Sequence, residues 1–240
     1  MNKKIRLYFP DKMQSNLAAH LPKDQSHYLK DVMRLKAGDI FSIFNSHGEW
    51  KASIQNYEKQ SVKIKILEKL RDKQNENNIW LAFTPIKQNP LNFIIQKGTE
   101  LGVQKFIPIL SERTAVKDIN IERVKKIIIE SAEQSNRISV PEVTKLETLK
   151  SFISNFPKKA CLVFCDINCN QSDIKKILSK KDTGPICILI GPEGDFSENE
   201  RRLIIELKQS QSISLAQNIL RAETAAVAAV TLVNHYLNLS

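Results

Sequence analysis

The sequence is short of glycine, with 7 in 240 residues. Two glycine-based phosphate cradles are missing: neither G-x-x-x-x-G-K-[ST] nor G-x-G-x-x-G occurs. Four cysteines in a chain of this length are not a disulfide framework, which points to a reduced, cytoplasmic protein. The 4 histidines (His20, His27, His47 and His235) are scattered without an H-x-x-x-H pair, so no metal is expected. Cys161, Cys165 and Cys169 are four apart, but the first two bracket Leu-Val-Phe in an apolar run and read as buried, inert thiols. No G-x-S-x-G elbow is present and no nucleophile stands out. No run of about 18 apolar residues occurs, so no transmembrane helix is expected. The start, MNKKIRLYFPDKMQ, lacks the apolar core of a signal peptide.

What is present is positive charge. The net charge is +10, which favours a polyanionic partner, most simply nucleic acid. Residues 1–78 hold 15 Lys and Arg against 9 Asp and Glu, a balance of +6; residues 79–240 hold 21 against 17, a balance of +4. The first third therefore carries more than half of the excess.

That first third alternates polar and apolar residues in short runs: Ile5–Phe9, Phe41–Phe44, Trp50–Ile54 and Val62–Ile66. Period-2 runs bounded by turn residues predict half-buried antiparallel strands. With one helix over about Lys23 to Leu35, they suggest a small β-barrel over residues 1–70. The polar stretch LRDKQNENN follows, and the spacing places a linker at 71–78. From residue 79 to 240 strand and helix alternate, which predicts an α/β layer fold. Ala160–Phe164 and Ile186–Ile190 are continuous apolar runs, as in a parallel sheet covered on both faces. Ser197 with Glu200 reads as a capping box opening a helix to about Leu207.

Three stretches carry chemistry. The run Leu189-Ile190 empties into Gly191-Pro192-Glu193-Gly194, where a strand end meets a helix start. Open α/β sheets bind ligands at such places, and glycine permits positive φ and close approach; a plain strand-to-helix turn would look the same. The second stretch, Leu215-Ala216-Gln217-Asn218-Ile219-Leu220, leads to Arg221 and Glu223 at the head of an Ala-rich helix. A positive residue does not suit a helix N-terminus, so Arg221 serves a ligand or partner, or is plain surface charge. The third is Glu133-Gln134-Ser135-Asn136-Arg137, either a set of donors for RNA or an ordinary helix end.

In this order, KGTELGV (97–103), SERTAVK (111–117), ESAEQSNRISVP (130–141), LIGPEGDFSENE (189–200) and ILRAETAAVAA (219–229) resemble the bacterial 16S ribosomal RNA (uracil-N3)-methyltransferase family of the SPOUT class. HYLKDVMRLKAGD (27–39) is similar to that family's barrel segment. The resemblance implies a PUA-like β-barrel followed by a SPOUT α/β domain with a trefoil knot, S-adenosylmethionine as cofactor, and a homodimer acting on 16S rRNA of the small ribosomal subunit. It implies that Leu189, Ile190, Gly191, Pro192, Glu193, Gly194, Leu215, Ala216, Asn218, Ile219 and Leu220 bind the cofactor, and that Arg221 and Glu223 act in catalysis. Arg6, Arg34, Lys36, Gln134, Ser135 and Arg137 would meet RNA. The chain departs from the family's usual pattern at Asp195 and Ala216, where glycine is usual. A different SPOUT RNA methylation, or an idle RNA-binding assembly factor, are the alternatives.

Overall fold

A computed structural model describes residues 5–59, 61–73, 75–170, 173–178 and 184–239. Met1–Lys4 of the N-terminal stretch and Gln74 of the expected linker lie outside them. The chain clusters into two compact units: Met1–Asn75 with Ala132–Val140, and Glu76–Ser131 with Pro141–Ser240.

The first unit contains β1 (Arg6–Tyr8), β2 (Ala18–Leu21), α1 (Lys23–His27), β3 (Ile40–Asn45), β4 (Gly48–Tyr57) and β5 (Val62–Asp72). They form one sheet in the order β1-β3-β4-β5-β2. Alternation decides which residues go inside: Val62, Ile64 and Ile66 of β5 are fully buried with Ile43, Ile54 and Leu29, while Lys63 and Lys65 stay partly exposed. Register shifts between β4 and β5 mark bulges, which bend the sheet around that core. Two expectations change here. β1 pairs with β3 in parallel, not antiparallel. The expected helix is one α-turn followed by a π-turn over Tyr28–Val32, ending before Arg34 at φ 57.

The second unit runs β6 (Ile79–Phe83), α2 (Gln88–Glu100), β7 (Val103–Leu110), α3 (Ile121–Gln134), β8 (Glu142–Val143), β9 (Glu147–Thr148), α4 (Leu149–Ser154), β10 (Cys161–Cys165), α5 (Ile174–Leu178), β11 (Ile186–Ile190), α6 (Glu198–Glu206), β12 (Ser210–Ile213) and α7 (Ala222–Leu239). The last residues of α3 belong to the first unit. The sheet order is β12-β10-β11-β6-β7-β8, and all its pairings are parallel. Every residue of β11 is buried, as expected of a strand covered on both faces. Ala226, Ala229, Val230 and Val233 repeat at helical spacing and bury one stripe of α7, which packs on α2, β11 and β6.

The two glycines of the KGTELGV stretch shape the fold. A Cβ on Gly98 would lie 2.8 Å from the Phe106 ring, so only glycine lets α2 approach β7 there. Gly102, at φ 95, takes the left-handed conformation that ends α2. No helix among the described residues is long and apolar enough to cross a membrane.

Candidate active site

Three adjacent parallel strands, β12, β10 and β11, end on one side of the second unit, and the loops leaving them form a cleft. This is where an open parallel sheet leaves a crevice, because chain order changes direction across neighbouring strands. The larger part of the cleft has a volume of about 540 Å³. That is room for a small organic ligand, since such sites span about 300–1,000 Å³. Its walls include Ile190 at the end of β11, Gly191, Pro192 and Glu193 from the loop that follows, Ile219, Leu220 and Arg221 from the loop before α7, and Glu223 in the first turn of α7. An adjoining pocket is lined by Leu215, Ala216 and Asn218 and shares Ile219 and Leu220 with the first.

The loop after β11 is built for shape. Asp195 N–H donates to the Pro192 carbonyl at 3.0 Å, closing a tight turn. Neither Gly191 nor Gly194 is left-handed; the turn's positive φ falls on Asp195, at 58°. That corrects the expectation that glycine supplies the unusual backbone here. Asp195 holds the conformation through its own carboxylate. Oδ1 accepts from Phe196 N–H at 2.8 Å and Oδ2 from Asn168 Nδ2 at 3.3 Å. Gly191 is needed for space instead: a Cβ there would come within 2.9 Å of the Phe196 ring. Phe196 is buried and stands edge-on to Phe164 with centroids 5.7 Å apart. Ala216 has no positive φ, so its loop does not depend on glycine at that position.

The capping box appears as expected. Ser197 Oγ accepts from Glu200 N–H at 3.3 Å, and Glu200 Oε2 accepts from Ser197 N–H at 3.1 Å. The loop after β10 is fixed by a buried charge. Asp166, 1% exposed, takes both Nε and Nη2 of Arg201 and also Asn168 N–H. This hydrogen-bonded carboxylate strengthens the hold of Arg201 on its proton. Ile167, next in the chain, lies in the cleft wall and is 54% exposed, an apolar surface offered to a ligand.

The RNA methyltransferase domain family matches residues 73–234, and the RNA methyltransferase PUA domain family matches residues 21–67. The chain is 34% identical to ribosomal RNA small subunit methyltransferase E of Rickettsia conorii, over 94% of this chain and 93% of that one. It is 31% identical to the Bacillus subtilis protein of the same name, over 90% and 89%. The chain belongs to the ribosomal RNA small subunit methyltransferase E family. Its fold matches the crystal structure of the Neisseria gonorrhoeae family member bound to S-adenosylmethionine, with a TM-score of 0.85, 28% identity and coverage of 97% and 98%. The fold is thus the expected one, a PUA domain with a SPOUT methyltransferase domain.

Within this family member, most of the expected cofactor residues come together at the cleft, and two lie outside its lining. Leu189 is fully buried in the core and does not line the cleft. Gly194 is also outside the lining, its carbonyl turned to Arg113 instead. Arg221 is exposed and Glu223 half-buried in the cleft wall, with no ion pair between them among the described residues. The RNA candidates divide. Arg34, Lys36 and Gln134 are exposed, and Ser135 is partly buried. Arg6, expected as a phosphate contact, and Arg137, expected among the RNA-facing donors, are each 7% exposed, with their guanidiniums turned to protein partners. Arg6 grips Glu49 at 3.1 Å, lies over the Phe44 ring at 4.3 Å and donates to the carbonyls of Ala132, Glu133 and Arg137. Arg137 Nε donates to Ser139 Oγ at 3.0 Å. Both guanidiniums are committed to holding a turn.

Sequence reasoning missed Lys87, Cys165 and Ile167, which also line the cleft. Cys165 and Ile167 flank the carboxyl end of an apolar strand, the signal that could have placed them. Cys161 and Cys165 are partly exposed rather than buried as their apolar run suggested, and desolvation by the surrounding protein still pushes the Cys165 thiol up to about 12, an inert neutral group in the cleft wall. Among the described residues no cluster suited to a metal ion occurs.

Proposed function

We propose that the protein methylates N3 of a uridine in 16S rRNA of the small ribosomal subunit, using S-adenosylmethionine. Its relatives are named for small-subunit rRNA methylation, and the gonococcal member holds S-adenosylmethionine. The single observation that carries the reading is one cleft that brings Arg221 and Glu223 beside the loop Ile190–Glu193. The lining suits the cofactor chemically. Ile167, Ile190, Ile219 and Leu220 offer apolar surface to an adenosine, and Glu193, Asp195 and Glu223 offer negative charge to a cation. When bound, S-adenosylmethionine supplies a methyl carbon activated by a positive sulfonium.

The chain's own residues do the rest. Uracil N3–H is a poor nucleophile and must lose its proton, which spreads negative charge over the two flanking carbonyl oxygens. The Arg221 guanidinium holds the base and stabilises that charge. Glu223 orients the site; as the base it would take the N3 proton on a carboxylate oxygen. Positioning supplies much of the acceleration. The first unit, residues 1–75 with 132–140, seats the enzyme on structured RNA, with the exposed Arg34, Lys36 and Gln134 as contacts; the Ser135 hydroxyl is buried and is not among them. The protein works in the cytoplasm as a homodimer; Phe93 on α2 and Leu232 on α7, 43% and 40% exposed, are apolar surface available to a second copy.

Arg221→Ala removes the charge-stabilising group but no cleft wall from the loop after β11. Methyl transfer to small subunits should fall by about 10²-fold or more, while calorimetric affinity for S-adenosylmethionine changes little. Nucleoside mass spectrometry of the treated RNA reads the product. Undiminished turnover in the variant, or a product other than N3-methyluridine, would refute the proposal.

A further inference from the structure

The turn after β11 is braced from outside itself by the loop after β7. Arg113 Nη1 donates to the Gly194 carbonyl at 3.0 Å and, at the limit of a hydrogen bond, to the Phe196 carbonyl at 3.5 Å. One residue earlier, Glu112 N–H donates to Glu200 Oε1 at 2.8 Å. Glu200 is the capping carboxylate of α6, so its two oxygens serve two different segments. The bracing loop is itself stiff. Ser111 N–H donates to Thr114 Oγ1 at 2.9 Å, the two hydroxyls are 2.8 Å apart, and both residues are buried.

The decisive detail is which peptide is held. The Gly194 carbonyl and the Asp195 N–H belong to one planar group. Arg113 holds its oxygen and the Pro192 carbonyl holds its nitrogen, so the plane is pinned at both ends. Gly194 precedes it, and glycine is the residue that most readily lets a peptide flip. A flip would carry Asp195 out of its left-handed conformation and release its bonds to Phe196 and Asn168. A charged donor on a carbonyl is stronger than a neutral one and opposes that flip.

We propose that Arg113 is a positioning residue for cofactor binding: it locks the Gly194–Asp195 peptide and so keeps the turn Pro192–Asp195 in its ligand-ready shape without touching the ligand. The inference rests on the reading of this turn as part of a cofactor site. The test is calorimetric titration of the full-length protein, wild type, Arg113→Gln and Arg113→Lys. Two probes are used: S-adenosylmethionine, and 5′-methylthioadenosine, which keeps the nucleoside and sulfur but lacks the amino-acid part.

Arg113→Gln should weaken both probes by the same factor, roughly tenfold, the order expected for one charged hydrogen bond. Arg113→Lys should recover part of the loss. In turnover, KM for the cofactor should rise while kcat at saturation holds, and the thermal unfolding midpoint should barely move. Unchanged affinity in Arg113→Gln overturns the proposal. So does a loss confined to S-adenosylmethionine, which would mean direct contact with its amino-acid part. Failure of the wild type to bind either probe would strike the cofactor reading itself, whatever Arg113 does.

Discussion

Gly191 illustrates how a single atom sets the cleft. Its φ is ordinary, and the constraint is the Phe196 ring, 2.9 Å from where a Cβ would stand. Phe196 cannot retreat, because it is buried against Phe164. Gly191→Ala therefore shifts the loop, not the ring, and the loop is cleft wall. Cofactor affinity should drop about tenfold or more, since overpacking costs about 1–3 kcal/mol and the strain is released where the ligand sits. Calorimetry on a variant whose circular dichroism matches wild type checks this. At this scale the sequence was legible where chemistry is local. Gly191, Pro192, Glu193 and Arg221 are cleft residues readable from one strand end and one helix start. Arg6 was not readable as a buried group. Its partners lie 43 and 126–131 positions away, and an isolated arginine in a basic chain looks the same whether solvated or enclosed.

Among elements, α6 links the cleft loop to the rest of the second unit. Its capping box satisfies N–H groups that a nine-residue helix leaves open at its start. Glu200, 7% exposed, cannot be exchanged cheaply because it also anchors Glu112. Ser197→Ala should thus cost about 0.5–2 kcal/mol, the usual worth of a cap, with the loop after β7 left in place. Chemical denaturation gives the energy, and retained cofactor binding shows that the damage is confined to the helix start. This box was visible in the sequence because Ser-x-x-Glu is a spacing of three within one segment. The buried strand β11 was visible because five apolar residues in a row have one simple home. The short strands β2, β8 and β9 were not. Two to four residues carry no period, and their place is decided by the neighbours that pair with them. The parallel pairing of β1 escaped for the same reason: alternation fixes which face is buried, not the direction of the partner.

On the scale of the whole molecule, chain order and compact units do not coincide, and Glu49 is where this matters. Ala132–Val140 clusters with residues 1–75, far earlier in the chain. Arg6 and Arg71, both bound to Glu49, hold that returning segment. Arg6 takes the carbonyls of residues 132, 133 and 137, and Arg71 Nη2 takes the carbonyl and side-chain oxygen of Asn136 at 2.8 and 2.9 Å. Tyr8 N–H adds a bond to Glu133 Oε1 at 2.9 Å. Burial of Glu49 favours its neutral form, but two guanidiniums outweigh it and hold the carboxyl below its ordinary 4.5. Glu49→Gln leaves two arginines facing each other with no anion, so it should destabilise the protein by on the order of 3 kcal/mol at neutral pH. The pH dependence follows from the sign of the shift. A depressed carboxyl contributes stability that is full above its unfolded pKa and is lost as pH falls through its folded value. The gap between wild type and Glu49→Gln should therefore be constant from pH 7 down to about 5 and close progressively below 4.5. Urea unfolding of both proteins at pH 7, 5 and 3.5 reads this directly. A gap that persists undiminished at pH 3.5 would mean that Glu49 holds the segment by shape and hydrogen bonding, with its charge contributing nothing.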